Sequence, residues 1–242
     1  MIPFLKKKIY LTRTEEDNLN FQKCFNLLQP KLDAKKIFVS LPFLNICFLN
    51  IENLFVPEKN LIFTSRYGIK ALSQLEELKL KKIYCVGKST AETAIQFGFK
   101  NVFFPEKGNV RSLINLISKE ANSFQTFHYM RGEKISFNLK KELSDIGYKI
   151  KETIIYKQEN NKLSEKQKKL IVSEKIGGII FFSATVSKLF CEEIKKVSDG
   201  FLFFCISDRV ADNIVSSNIM GKYIIKVAKK PDLENIIDLI CK

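Results

Sequence analysis

Short runs of apolar, β-branched and aromatic residues alternate along this chain with longer segments whose apolar positions recur every three or four residues. The short runs predict strands over Lys8–Leu11, Asn60–Thr64, Lys82–Val86, Asn101–Phe104, Thr126–Met130, Gly178–Phe182, Leu202–Ile206 and Tyr223–Val227. Helical periodicity predicts helices such as Tyr67–Leu78, Ser89–Gln96, Val110–Ala121 and Ser136–Ile146. Gly98 and Gly147 stand where two of these helices should stop, the position at which glycine caps a helix C-terminus. Repeated strand–helix alternation implies parallel sheets with helices on both faces, an α/β fold.

The pattern also repeats. NLIFTSRYGIKAL returns as GIIFFSATVSKLF, which sets Ser65 against Ser183 at an offset of 118. KIYCVGKSTAETA returns as LFFCISDRVADNI, setting Ala91 against Ala211 at an offset of 120, and SLINLI returns as NIIDLI. IYLTR ends in Arg13 and FHYMRG carries Arg131, again 118 apart. Ordered matches at a nearly constant offset predict an internal duplication of a unit about half the chain long, too long for a solenoid. Two β-prone stretches, 37–43 and 153–159, fall outside the alternation, and Pro42 suits an edge or connecting strand. They are expected to be the two crossings of a two-stranded β linker. Residues 1–36 with 160–242 would then form a discontinuous first domain, and 44–152 a continuous second one.

Composition narrows the chemistry. The 242 residues suffice for two domains, and an apolar share of 45% suits a globular protein. Forty basic side chains against 26 acidic ones give a net charge of +14. A nucleic acid, an acidic membrane or a polyanionic small molecule is the matching partner. An A- and T-rich coding sequence would also enrich Lys, Ile, Asn and Phe, so the charge supports a partner without requiring one. Cys24, Cys47, Cys85, Cys191, Cys205 and Cys241 show no CxxC spacing and read as reduced thiols. His128 is the single histidine, which leaves little for a histidine-based triad or metal site, and no metal or cofactor is expected. The basic Met1–Lys8 segment is followed by no apolar stretch of the signal-peptide kind, and Ile37–Ile51 is interrupted by Ser40, Pro42, Asn45 and Asn50. A cytoplasmic protein without membrane spans is expected.

Ligands of open parallel sheets bind beyond the carboxyl ends of the strands. Three loops there suit an anion: Thr64–Ser65–Arg66, Gly87–Lys88–Ser89–Thr90 and Arg131–Gly132. Hydroxyls, helix-start N–H groups and a guanidinium can all hold carboxylates, although Ser and Thr at such positions also serve simply as caps. The repeat adds Arg13 opposite Arg131, and Ser183 with Thr185 opposite the Ser65 turn. No GxxxxGK[ST], GxGxxG or GxSxG is present; VGKST lacks the upstream glycine of a phosphate loop. The carboxylate pairs Glu15–Glu16, Glu76–Glu77 and Glu192–Glu193 read as solvated helix faces.

In order and spacing, IFTSRYGIKAL, YCVGKSTAETAIQFGF, VFFPEKGNVRSLINLI, YMRGEKISFNLKKELSDIGYKI, TIIYKQ and IIFFSATVSKLF resemble the uroporphyrinogen-III synthases. With the N-terminal LTR and the C-terminal KKPDLENII the resemblance spans essentially the whole chain. It implies two parallel-sheet α/β domains joined by a two-stranded β linker, with the active-site cleft between them. It implies a cofactor-free lyase that takes hydroxymethylbilane, expels its terminal hydroxyl as water and closes the ring to uroporphyrinogen III while inverting ring D. Such an enzyme must hold a flexible polycarboxylate in one geometry, and a basic protein would attract that substrate in a salt-sensitive way. The resemblance maps an acid or hydrogen-bonding group onto Tyr156. Substrate contacts are expected from Arg13, Thr64, Ser65, Lys88, Ser89, Thr90, Arg131, Gly132, Ser183, Thr185 and Arg209. A monomer is implied, with hand-over of the bilane from the deaminase that makes it.

One stretch departs from the family pattern. Where the second VGxxTA belongs, the chain reads Ile206-Ser207-Asp208-Arg209-Val210-Ala211, with Ser for Gly and an acid that would repel carboxylates. Arg209 offers compensation. The alternative is a catalytically weakened homologue that binds tetrapyrroles as a regulator. A nucleic-acid-binding module finds no recognised motif here, and the 21 Phe lie mostly in strand-like runs, where core packing explains them.

Overall fold

The computed structural model describes residues 7–51, 54, 56–122, 125–173 and 176–241. The first six residues of the expected first domain, and the last residue, lie outside the described residues. From its N-terminal end the chain forms β1 (Lys8–Leu11), α1 (Glu15–Leu28), α2 (Ala34–Ile37), β2 (Phe38–Ser40) and β3 (Leu44–Phe48). Next come β4 (Asn60–Phe63), α3 (Arg66–Ala71), β5 (Lys82–Cys85), α4 (Lys88–Gln96), β6 (Asn101–Phe103) and α5 (Val110–Glu120). Then follow β7 (Thr126–Gly132), α6 (Leu139–Asp145), β8 (Lys149–Asn160), α7 (Glu165–Val172) and β9 (Ile176–Phe181). The chain ends in α8 (Ala184–Glu193), β10 (Phe201–Cys205), α9 (Asp208–Val215), β11 (Tyr223–Val227) and α10 (Leu233–Cys241).

Two compact units result, Met1–Asn45 with Asn160–Lys242, and Ile46–Glu159. The first holds a five-stranded sheet in the order β11-β10-β9-β1-β2, and the second a six-stranded sheet in the order β3-β8-β7-β4-β5-β6. The pairings β1–β2, β1–β9, β9–β10 and β10–β11 are parallel, as are β7–β8, β4–β7, β4–β5 and β5–β6. The two sheets therefore share one strand order, with β11, β10, β9, β1 and β2 matching β6, β5, β4, β7 and β8. Registers match as well: Leu11 lies opposite Ile180 as Tyr129 lies opposite Ile62, each residue 118 from its counterpart.

This topology corrects the expected linker. Residues 37–43 are not a crossing strand: Phe38–Ser40 is β2, paired in parallel with β1 inside the first sheet. The reason is burial. Phe38 packs edge-on against Phe21 and Phe25 of α1 at centroid distances of 5.3 and 4.9 Å, which holds the strand in its own unit's core. Strand β2 and the long β8 are equivalent members of the repeat rather than additions to it. The strands that run across the unit boundaries are β3 and the end of β8, neighbours in the second sheet.

Both sheets are covered on both faces. In the first unit α8 and α9 bury Val186, Phe190, Val210 and Ile214 on one face, while α1 and α10 bury Phe21, Phe25, Ile236 and Ile237 on the other. In the second, α3 and α4 supply Ile69, Ala91 and Ala94, and α5 and α6 supply Leu113, Ile117, Leu139 and Leu143. Central strands are buried on both sides, so β4, β9 and β10 are buried at every position and, apart from Asn60, carry no polar side chain, in the way parallel strands do. Fully burying one such Phe or Ile contributes about 1.5–3 kcal/mol. Gly98 and Gly147 follow helices with φ of +86° and +97°, the left-handed conformation that ends a helix. No helix among the described residues is long and apolar enough to cross a membrane.

Candidate functional site

Strands β4, β5 and β7 of the second unit end near a cavity of about 380 Å³, beside a residue within β8. Its walls come from Thr64 and Ser65 after β4, Val86 after β5, and Tyr129 and Gly132 of β7. Tyr156 of β8, Gly108, Asn109 and Val110 at the start of α5, and the 134–137 loop complete it. Four expected site residues, Thr64, Ser65, Gly132 and Tyr156, thus meet in one place.

Each is fixed by a local physical cause. Ser65 leaves β4 in extended conformation and caps α3, its hydroxyl accepting from the Tyr67 N–H at 3.2 Å. The Ser65 side chain also neighbours the Tyr156 phenol. Tyr156 is 7% exposed, with its ring 5.9 Å from that of Tyr67. Burial pushes the Tyr156 phenol above its ordinary value of 10, the Ser65 side chain works in the opposite direction, and the neighbouring Tyr67 raises it further. The hydroxyl therefore carries its proton at neutral pH. Gly132 makes room for this ring. A Cβ there would stand 2.6 Å from Cζ and 2.8 Å from the hydroxyl of Tyr156, so only a bare Cα lets the phenol lie where it does.

Other expected residues are held elsewhere. Arg131 is spent internally: its Nε donates to Glu152 at 3.2 Å and its Nη1 to the carbonyls of Gly132 and Glu133 at 2.9 and 3.2 Å. Lys88 is exposed and lies 3.8 Å from Glu92, Ser89 is exposed, and Thr90 is buried in α4. None of these four lines the cavity. Their helix start, with Gly87 at the cap and no side chain bonded to it, packs backbone against backbone on Gly108 at the cavity wall.

In the first unit, Ser183 caps α8 as Ser65 caps α3, accepting from the Thr185 N–H at 3.2 Å, and Thr185 is exposed. Arg13 lies over the Phe182 ring at 5.2 Å and 3.5 Å from Asp17. Arg209 is exposed at the start of α9, one residue after Asp208, and Ser207 caps that helix without a side-chain bond.

The sequence pattern does not single out Tyr129, Asn109, Lys134 or Ser136. The alternation in β7 carries the signal for Tyr129, two residues before Arg131 on a strand ending at the ligand side. Asn109 precedes an amphipathic helix and caps it, its side chain accepting from the Ser112 N–H at 2.9 Å. Among the described residues no three His, Cys, Asp or Glu side chains are placed to share a metal ion. His128 lies within the sheet, bonded to Glu58 at 2.9 Å and Thr153 at 2.7 Å.

Residues 37–238 match the sequence model of the uroporphyrinogen-III synthase HemD family. Among solved structures, the uroporphyrinogen-III synthetase of Helicobacter pylori 26695 is similar at 19% identity with a TM-score of 0.66. That similarity covers 96% of this chain and 97% of that one. A mutant uroporphyrinogen III synthase from the extremely thermophilic bacterium Thermus thermophilus aligns at 14% identity over 95% and 96% of the two chains, with a TM-score of 0.47 too low to bear on the fold. Among curated proteins none matches by sequence. The match over 37–238 places this chain in the uroporphyrinogen-III synthase family of cyclising lyases.

Proposed function

We propose that this chain cyclises hydroxymethylbilane to uroporphyrinogen III, with loss of water and inversion of ring D, and that Tyr156 assists the departing hydroxyl. Family membership supports the reaction, and the cavity that gathers Tyr156, Ser65, Thr64 and Gly132 supports the assignment of its residues. Expelling hydroxide from the bilane is difficult without a proton donor, and a buried, still-protonated phenol is a donor positioned at no further entropic cost. The proton it gives leaves with the hydroxyl as water, and the ring-closing carbon later loses a proton that can restore the phenol. Ser65 stabilises the transient negative charge on the Tyr156 oxygen. Thr64, Ser65 and Gly132 face the substrate in the second unit. Arg13, Lys88, Ser89, Ser183, Thr185 and Arg209 are proposed as outer contacts for its carboxylates, while the engaged Arg131 and the buried Thr90 are not. The protein is proposed to act as a cytoplasmic monomer that receives the bilane from the deaminase producing it.

The test couples the protein to such a deaminase, oxidises the products and separates the isomers chromatographically. Type III product above the no-enzyme level, sharply reduced in Tyr156→Phe, is expected. Type III that survives the substitution would keep the reaction and reassign the tyrosine. Type I product alone, from folded protein that still binds the oxidised macrocycle, would point to a tetrapyrrole-binding protein, the reading to which the altered Ser207–Val210 stretch lends itself.

A further inference from the structure

Tyr129 and Tyr156 reach the same cavity from opposite faces of one sheet. Tyr129 belongs to the face covered by α5 and α6, and Tyr156 to the face covered by α3 and α4. Their hydroxyls neighbour consecutive residues of one turn. The Thr64 and Tyr129 hydroxyls are 2.8 Å apart, and Ser65 lies beside the Tyr156 phenol. Successive residues of extended chain point to opposite faces, so a Thr–Ser pair leaving β4 can hold one phenol on each side.

The duplicated fold supplies an internal control. In the first unit the positions matching Tyr129 and Thr64 are Leu11 and Phe182, while Ser183 still matches Ser65. The fold is thus satisfied by an apolar pair where the second unit has two hydroxyls. A Phe at 129 would fill the same core volume, so packing accounts for the ring of Tyr129 and not for its oxygen. Tyr129 lines the cavity with its hydroxyl 2.8 Å from that of Thr64, another lining residue, and a tyrosine at such a place presents a polar tip from an apolar body. Burial raises the Tyr129 phenol above 10 against the opposing Thr64 bond, so it keeps its proton at neutral pH and can donate it in a hydrogen bond.

We infer that Tyr129 is a second ligand-facing phenol, poised by Thr64, which hydrogen-bonds the polycarboxylate substrate in the same cavity as Tyr156. The inference rests on the synthase reading of that cavity. Thr64 is then a positioning residue acting through Tyr129.

The experiment uses the full chain with Tyr129→Phe, Tyr156→Phe, the double variant and Thr64→Val, each checked for unchanged thermal midpoint. Tyr129→Phe is expected to lower the type III rate about tenfold, the scale of one neutral hydrogen bond, and to deepen the defect of Tyr156→Phe in the double variant. Thr64→Val is expected to give a smaller loss. In parallel, protein carrying 13Cζ-tyrosine is titrated with uroporphyrin III, the stable oxidised macrocycle. The resonance that Tyr129→Phe deletes is expected to shift on addition. Unchanged rates for Tyr129→Phe in both backgrounds, in a wild type that makes type III, would overturn the inference and leave the synthase reading intact. No type III from wild type, with a shifting Tyr129 resonance, would sink the synthase reading and keep Tyr129 as a ligand contact. A resonance that stays still throughout the titration overturns the inference whatever the turnover.

Discussion

The two units carry one architecture with two different strand ends. Both sheets share a strand order and register, and both turn from a strand into a helix through a serine in nearly the same conformation. The φ, ψ values are −153°, 142° at Ser65 and −155°, 135° at Ser183. Neither the α4 cap at Gly87 nor the α9 cap at Ser207 has a side-chain bond. The difference lies beyond the strands. Leu11 and Phe182 in the first unit stand where the second has Tyr129 and Thr64, and the second has Gly87 packed on Gly108 where the first has Ser207. Backbone turns that start helices are constrained by hydrogen-bonding geometry, which side-chain replacement leaves alone. Side chains at strand ends answer only to packing and to whatever binds there, so that is where the copies diverge.

The sharpest way to break this comparison is at Tyr156. Removing a positioned proton donor costs about 10²- to 10⁴-fold in rate, so Tyr156→Phe should lose at least about a hundredfold in type III formation. Initial rates with chromatographic isomer separation check this, and a loss confined to a fewfold would leave Tyr156 as packing. Gly132→Ala comes next. The added Cβ at 2.6 Å forces the Tyr156 ring aside, an overpacking that costs about 1–3 kcal/mol of stability and displaces the phenol. Urea unfolding and the same rate assay should both register it. Gly87→Ser carries a similar stability cost, because its Cβ would meet the Gly108 Cα, a backbone atom, at 2.8 Å.

Much of this is legible in the sequence, for identifiable reasons. The central strands Ile176–Phe181 and Phe201–Cys205 show where they are because parallel strands buried on both faces are continuous apolar runs. The 118-residue offset of Ser65 and Ser183 is also the structural register of the two sheets. What cannot be read is partnership. Ile37–Phe43 looks like a connector because its apolar residues carry no label saying that Phe38 packs on Phe21 and Phe25. Arg131 looks free to clamp a carboxylate because Glu152, 21 residues away, gives no local sign that it takes the guanidinium. Gly132 reads as part of an Arg–Gly pair, whereas its service to Tyr156 depends on a parallel pairing that places the two residues side by side. Within-strand pattern is local, and the site is made of contacts between strands.

His128 sharpens the comparison through pH. Its counterpart at the same register in the first unit is Tyr10, which is buried with no ionisation in the acid range. His128 is fully buried, and that burial lowers it below its ordinary 6.5. The Glu58 charge and hydrogen bond oppose the effect, while Lys151 and Lys81 add to it. With the folded value below the unfolded one, the unfolded chain binds more protons in that window. The stability contributed is present above pH 6.5 and is lost as pH falls below it through the folded value. Urea unfolding followed by circular dichroism should show wild type losing more stability from pH 7.5 to pH 5.5 than His128→Gln, which keeps hydrogen-bonding capacity without the titration. Parallel slopes for the two proteins would remove His128 from the pH response.

The smallest effect is the most discriminating, because it asks whether the copies can be exchanged at one atom. Ser207 stands where the second unit has Gly87, in extended backbone at φ −160° that any residue adopts, and its hydroxyl makes no capping bond to α9. Ser207→Gly therefore removes no hydrogen bond and relieves no clash, and only the added freedom of the unfolded chain and the lost side chain weigh against it. The change should be a few tenths of a kcal/mol in unfolding free energy, against the larger cost of Gly87→Ser. Thermal midpoints of the two variants measured side by side give the answer. A large loss in Ser207→Gly would mean that the serine packs or bonds as a structural element, and the two helix starts would then be separate solutions. A near-silent Ser207→Gly beside a costly Gly87→Ser would show that one glycine is demanded by the backbone of Gly108 and that the other copy was free to lose it.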